Sequence, residues 1–150
     1  MSDNWIIVVP EDPDYIPMED AQDRAVALFR QIAPHADEVR KEVSHKIRFI
    51  DCGANLSRIL CPHCRAELET EWWQDLMEEE FEAGFLFREV ALPCCGRAGS
   101  LRTLSYDWPQ GFARFSVEAM NAGIRDLSEE QLAEFARALG CPVLKILQHI

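Results

Sequence analysis

Two short clusters, Cys61-Pro62-His63-Cys64 and Pro93-Cys94-Cys95-Gly96, constrain this chain more than any other feature of it. Four thiols in two tight loops, a helix and a strand apart in sequence, can close around one tetrahedral metal ion. Read alone, the first cluster is also a redox-active dithiol. The choice between metal and redox chemistry governs most of what the sequence implies about function.

At 150 residues the chain is expected to form a single domain, residues 1–150, burying roughly 70% of its unfolded surface. Such a chain does not need a metal merely to fold, so a metal here would fix local geometry. Its net charge of −11 is unevenly spread: residues 1–46 hold ten acids against five bases, and residues 65–90 hold nine against two. A phosphate-binding groove needs clustered Lys and Arg to displace counterions, so direct nucleic-acid binding is not the expected role. The distribution suits a solvated acidic surface or a basic protein partner. Trp5-Ile6-Ile7-Val8-Val9 is too short for the apolar region of a secretory signal and no basic stretch precedes it. No run approaches the roughly 18 apolar residues that span a bilayer. The expected location is therefore the cytoplasm, where six cysteines serve as metal ligands or buried thiols rather than as a disulfide framework.

Hydrophobic periodicity predicts the elements. Trp5 to Val9 is an unbroken β-branched run closed by Pro10, the pattern of a buried strand. Ala21, Ala25, Leu28, Phe29 and Ile32 recur at helical spacing, with acids in the opening turn and Pro34 as the boundary. Val43 to Phe49 alternates as a half-buried strand, Cys52 to Asn55 turns, and Leu56 to Leu60 leads a short strand into the first cluster. Leu68, Trp72, Trp73, Leu76, Met77 and Phe81 form one stripe of an amphipathic helix ended by Gly84. Phe85 to Leu92 is predicted as the strand that delivers the second cluster. Gly111 to Met120 is a strand, Ser128 and Gln131 a capping box, Gly140 a helix stop, and Val143 to Ile150 a last strand. No repeat or low-complexity linker is apparent. The expected fold is α+β: a mostly antiparallel sheet with packed helices and an inserted zinc-binding knuckle region.

Cys61-Pro62-His63-Cys64 resembles the knuckle of the zinc-ribbon and treble-clef families, and Cys95-Gly96 resembles the end of the partner knuckle. The resemblance covers only these two loops. It implies a structural Zn2+ held by Cys61, Cys64, Cys94 and Cys95. The usual partner knuckle places its first ligand three residues before the last, where this chain has Leu92. Cys94 is the expected substitute, with His63 and Cys52 as the other candidates for the fourth position. Four thiolates leave no open position for water, and the His-X-Glu with Pro-Cys-X-X-Cys pattern of zinc nucleobase deaminases is absent, so a catalytic metal is not expected.

The rival is a thiol–disulfide oxidoreductase. A strand, Cys-Pro-His-Cys and a long helix are how thioredoxin-like enzymes present their nucleophile, and Cys-Pro-His-Cys resembles the active site of periplasmic disulfide oxidases. On that resemblance Cys61 attacks, Cys64 resolves, and Leu92-Pro93 is the cis-proline of the fold. The second cluster, which redox chemistry does not require, favours zinc. Cys141 and Cys52 fit the description of isolated buried thiols.

Trp72 and Trp73 are either an interaction hot spot or core residues, and their place on the apolar stripe favours the core. Tyr106 to Phe112 is an aromatic-stabilised turn or the wall of a pocket. His35, His45 and His149 are scattered. No catalytic triad order, phosphate loop or dinucleotide turn is present, and no small-molecule substrate is indicated. The leading expectation is a zinc-stabilised module that binds another protein, in the manner of small acidic inhibitors or immunity proteins.

Overall fold

A computed structural model describes residues 2–150. In chain order the elements are β1 (Asn4–Pro10), α1 (Glu19–Ile32), β2 (Glu38–Ile50), β3 (Ile59–Leu60), α2 (Thr70–Ala83), β4 (Val90–Ala91), β5 (Ala98–Gly99), β6 (Ser105–Tyr106), β7 (Gly111–Met120), α3 (Glu129–Leu139) and β8 (Val143–His149). The fold is α+β, and its strand ladders are antiparallel. The elements gather into two compact units, one of residues up to Asn55 with Gln110–Ile150, the other Leu56–Pro109.

The first unit is a four-stranded sheet in the order β2-β7-β1-β8. Each helix links two strands that have one strand between them, the double split β-α-β arrangement. The run Ile6-Ile7-Val8-Val9 lies in the sheet interior with every residue buried, as an unbroken apolar strand requires. Ile6, Val8, Phe115, Val117 and Ala119 form the sheet side of the core. Ala25 and Phe29 from α1, Ala33 just past its end, and Phe135 and Leu139 from α3 cover them. The Phe29 and Phe135 rings meet edge to face at 4.9 Å. Burial of each such side chain stabilises by about 1.5–3 kcal/mol. The capping box forms as its residues imply: Gln131 N–H donates to Ser128 Oγ (3.1 Å), and Ser128 N–H donates to Gln131 Oε1 (2.9 Å).

The second unit enters the chain between β2 and β7, whose ladder ends at Ile50 and Gly111. It consists of two short hairpins, α2 and β6. Strand β6 pairs with β3, placing Tyr106 beside Ile59. The Tyr106 hydroxyl donates to Leu101 O (2.8 Å) and accepts the Trp73 indole N–H (3.2 Å). Burial pushes this phenol up to about 12 against the lowering effect of the Trp73 bond. The aromatic turn is thus an internal brace. Trp73 packs inside and Trp72 is half-buried.

Three expectations need correction. The strand predicted over Phe85 to Leu92 shrinks to Val90–Ala91, because Phe85 and Phe87 adopt φ of +58° and +56°, which no strand accommodates. The carboxylate of Glu80 holds this segment, accepting the N–H groups of Leu86 (3.2 Å) and Arg88 (2.8 Å). That duty draws Glu80 inside at 2% exposure and turns Phe81, expected on the buried stripe, outward at 71%. The strand expected from Leu56 forms only at Ile59–Leu60, where partners exist in β6 and at Glu67.

Candidate metal centre

Two hairpins of the second unit carry the cysteines. In the first, Leu60 pairs with Glu67, and Leu68 N–H donates to Ile59 O at 2.8 Å. Between them Cys61 N–H donates to Ala66 O (2.8 Å) and Arg65 N–H to Cys61 O (3.1 Å), closing a knuckle in which Arg65 takes φ of +65°. In the second hairpin Ala91 pairs with Ala98 and Val90 with Gly99. Leu92 N–H donates to Arg97 O (2.9 Å), Gly96 N–H donates to Leu92 O (2.8 Å), and Gly96 takes φ of +74°. Each of these positions follows its counterpart by 31 residues, from 61 to 92 and from 66 to 97. The chain therefore contains one knuckle built twice, which corrects the expectation of no repeat. Over residues 59–68 and 90–99 only the prolines, Pro62 and Pro93, and Cys64 and Cys95 are identical, so the sequence conceals it.

The counterpart of Cys61 is Leu92. Cys61 is fully buried, and its Sγ accepts the N–H groups of His63 (3.3 Å) and Cys64 (3.5 Å). Leu92 is as well buried, and its side chain fills the space beside Gly99, where an added Cβ would lie 2.9 Å from Leu92 Cδ1. The residue matching Gly99 in the first hairpin is Leu68. The second knuckle has thus replaced a Cys and a Leu by a Leu and a Gly. Its second thiol comes instead from Cys94, at the position His63 occupies in the first.

The four sulfurs of Cys61, Cys64, Cys94 and Cys95 all lie within 4.8 Å of one another. Cys61 Sγ and Cys95 Sγ are 3.8 Å apart. A tetrahedron with Zn–S arms of about 2.3 Å has edges of about 3.8 Å. Sulfurs this close together could hold one metal ion. The other two candidates for the fourth position stand elsewhere: His63 Nε2 lies 2.8 Å from Ala98 O, and Cys52, buried in the other unit, is not among the grouped residues.

The charges favour a cation at this point. Burial acts to raise the Cys61 thiol, but the N–H groups of Cys64 and His63, with the thiols of Cys94 and Cys64, bring it down to about 6. Cys94 is pushed up to about 12 by burial, by its bonds to Cys64, Cys61 and Cys95, and by the charge on Cys61. One ionised sulfur therefore suppresses its neighbour. A multiply charged cation placed beside Cys61 and Cys94 would favour the ionised form of both.

The arrangement differs from a thioredoxin-like dithiol in two respects. Helix α2 begins at Thr70, so Cys61-Pro62-His63-Cys64 is not at a helix N-terminus. Cys61 is buried, whereas an attacking thiolate has to be reached by its disulfide. Among the described residues no peptide bond is cis, Leu92–Pro93 included. Cys141 and Cys52 are single thiols raised by burial. Among the described residues no helix is long and apolar enough to cross a membrane. Comparison of the chain with protein-family models, curated proteins and solved structures finds no match.

The equivalence of the hairpins makes a test possible. Cys94→Ser is expected to lose bound metal, and adding Leu92→Cys is expected to restore it, since Leu92 holds in its knuckle the backbone position that Cys61 holds in the first. Metal content of the folded variants after dialysis checks this. A folded double variant that stays metal-free contradicts the equivalence.

Proposed function

We propose that the protein is a cytoplasmic, zinc-stabilised module that acts by binding another protein. Cys61, Cys64, Cys94 and Cys95 hold a structural Zn2+ as a closed thiolate set, as in the zinc-ribbon and treble-clef knuckles that the two loops resemble. The observation that carries the reading is the sulfur spacing, with 3.8 Å between Cys61 and Cys95. Zinc suits an all-thiolate tetrahedron, and four thiolates leave no position for an activated water. The metal then acts as a staple between the two hairpins, and function falls to the surface. That surface is acidic, with a net charge of −11, which suits a basic protein partner and a role as an inhibitor of immunity type. Nucleic acid would be repelled by the same charge.

The test is to purify the protein under mild reduction and measure zinc together with reactive thiols, before and after a chelator. The reading expects one zinc per chain and cluster thiols that react only once zinc is removed. Metal-free protein with one fast-reacting thiol would overturn it in favour of a Cys61–Cys64 oxidoreductase.

A further inference from the structure

A groove of about 510 Å³ runs along one face of α2, with Trp72, Leu76 and Val90 as its apolar lining. Its rim is acidic: Asp75, Glu78, Glu79 and Glu82 come from successive turns of the helix. The groove continues past Leu76 and Val90 into a second hollow of about 550 Å³, walled by Glu80, Ala83, Arg88 and Glu89. Both hollows lie wholly within the second unit.

These carboxylates differ from several of those in the first unit. Glu42 and Glu118 pair with Arg40, Asp23 with Lys41, and Asp126 with Lys145. Among the described residues, Asp75, Glu78, Glu79, Glu82 and Glu89 have no ion pair. Like charges on adjacent helical turns repel, and Arg88, which walls the second hollow, is the one base in the lining of the two hollows. Helix α2 also lacks any basic residue in its last turn, where one would be favourable. Trp72 and Val90, both half-buried, supply what charge alone does not: apolar surface that gains by losing water over a floor formed by the buried Leu76.

We propose that this groove docks a basic segment of a partner protein, with an apolar side chain against Trp72, Leu76 and Val90 and lysines or arginines on both sides meeting the rim. The inference rests on the protein-binding reading above and names the surface and the partner chemistry. Charge complementarity selects the occupant: an acidic or neutral segment would leave the rim unpaired, and a purely cationic one would leave the lining wet.

The probe is a short labelled peptide with arginines on both sides of two leucines, titrated into the zinc-loaded protein at low and moderate salt. Binding is read by anisotropy and tryptophan fluorescence. The expected result is saturable binding that weakens about tenfold in a Glu78→Gln, Glu79→Gln, Glu82→Gln variant and as strongly when serines replace the peptide leucines. A variant with Glu129→Gln and Glu130→Gln on α3 removes exposed charge elsewhere and should bind as the parent does. Equal weakening by the α3 changes, or indifference to the leucines, overturns the groove proposal by showing only general charge attraction. Zinc is measured in every sample. A groove that fails in protein holding one zinc refutes this inference alone, whereas protein that holds none refutes the zinc-stabilised module proposed above.

Discussion

Cys61→Ser is expected to abolish stable zinc binding. Cys61 is the one cluster thiol that is fully buried, and two backbone N–H groups support its charge. Changes to groups that merely orient a ligand cost about 10–100-fold in metal affinity. Removing the ligand itself should cost more, and structural zinc contributes about 10–16 kcal/mol of apparent binding energy. Zinc content after dialysis against a moderate chelator should fall from one per chain to near zero. Cys52→Ser, at a buried thiol outside the group, should leave it unchanged. The pH dependence has a definite sign. Zinc must displace the proton of Cys94, which is raised to about 12, so affinity declines as pH falls from alkaline values. Cys61 is lowered to about 6 and becomes protonated only as pH falls through that value, where the decline should steepen. Affinity that is flat from alkaline to acidic pH would contradict a thiolate cage.

Phe135→Ala is expected to cost about 3–5 kcal/mol, a large share of the 5–15 kcal/mol that holds a typical domain together. The ring is fully buried, touches Phe29 edge to face at 4.9 Å, and joins α3 to the core that α1 and the sheet build. Phe135→Leu keeps most of the volume and should cost under about 1.5 kcal/mol. Denaturant midpoints measure both. Zinc content of folded Phe135→Ala should stay at one per chain, because no cluster thiol belongs to that unit. A loss below about 1 kcal/mol would mean that the helical layer is not the core described.

The elements that sequence reasoning found are those whose signal is local. Ile6 to Val9 can be buried only in a strand with both faces covered. Ser128 with Gln131, and the glycine at 140, mark a helix at both ends whatever it packs against. What was missed depends on side-chain contacts that hydrophobic periodicity does not encode. Glu80 looks like one more acid on a solvated helix, and only the N–H groups of Leu86 and Arg88 turn it inward. Phe85 and Phe87 are good strand formers, and that contact overrides their preference. Strands β5 and β6, of two residues each, are too short for any periodicity.

The grouping of the four cysteines was legible in the sequence, and the architecture that groups them was opaque. Cys61, Cys64, Cys94 and Cys95 come together as spacing suggested. Leu92, by contrast, is noticeable in the sequence only as a ligand out of place. The structure makes it the counterpart of Cys61, seated against Gly99. The repeat stayed hidden because its left-handed turn position carries Arg65 in one copy and Gly96 in the other, so glycine marks the turn only once. A glycine-lined gap opposite a leucine has no sequence signature. The α2 groove is likewise invisible in sequence, where Asp75, Glu79 and Glu82 belong to an ordinary charged face.

The central claim is a closed zinc site made of four thiolates, and zinc K-edge X-ray absorption on the purified protein tests it most directly. The account predicts a single shell of four sulfurs at about 2.3 Å with no nitrogen or oxygen neighbour. A shell of three sulfurs or fewer, completed by a light atom, would contradict it: the position assigned to Cys94 would then be open or taken by another group, and the metal would be free to do chemistry.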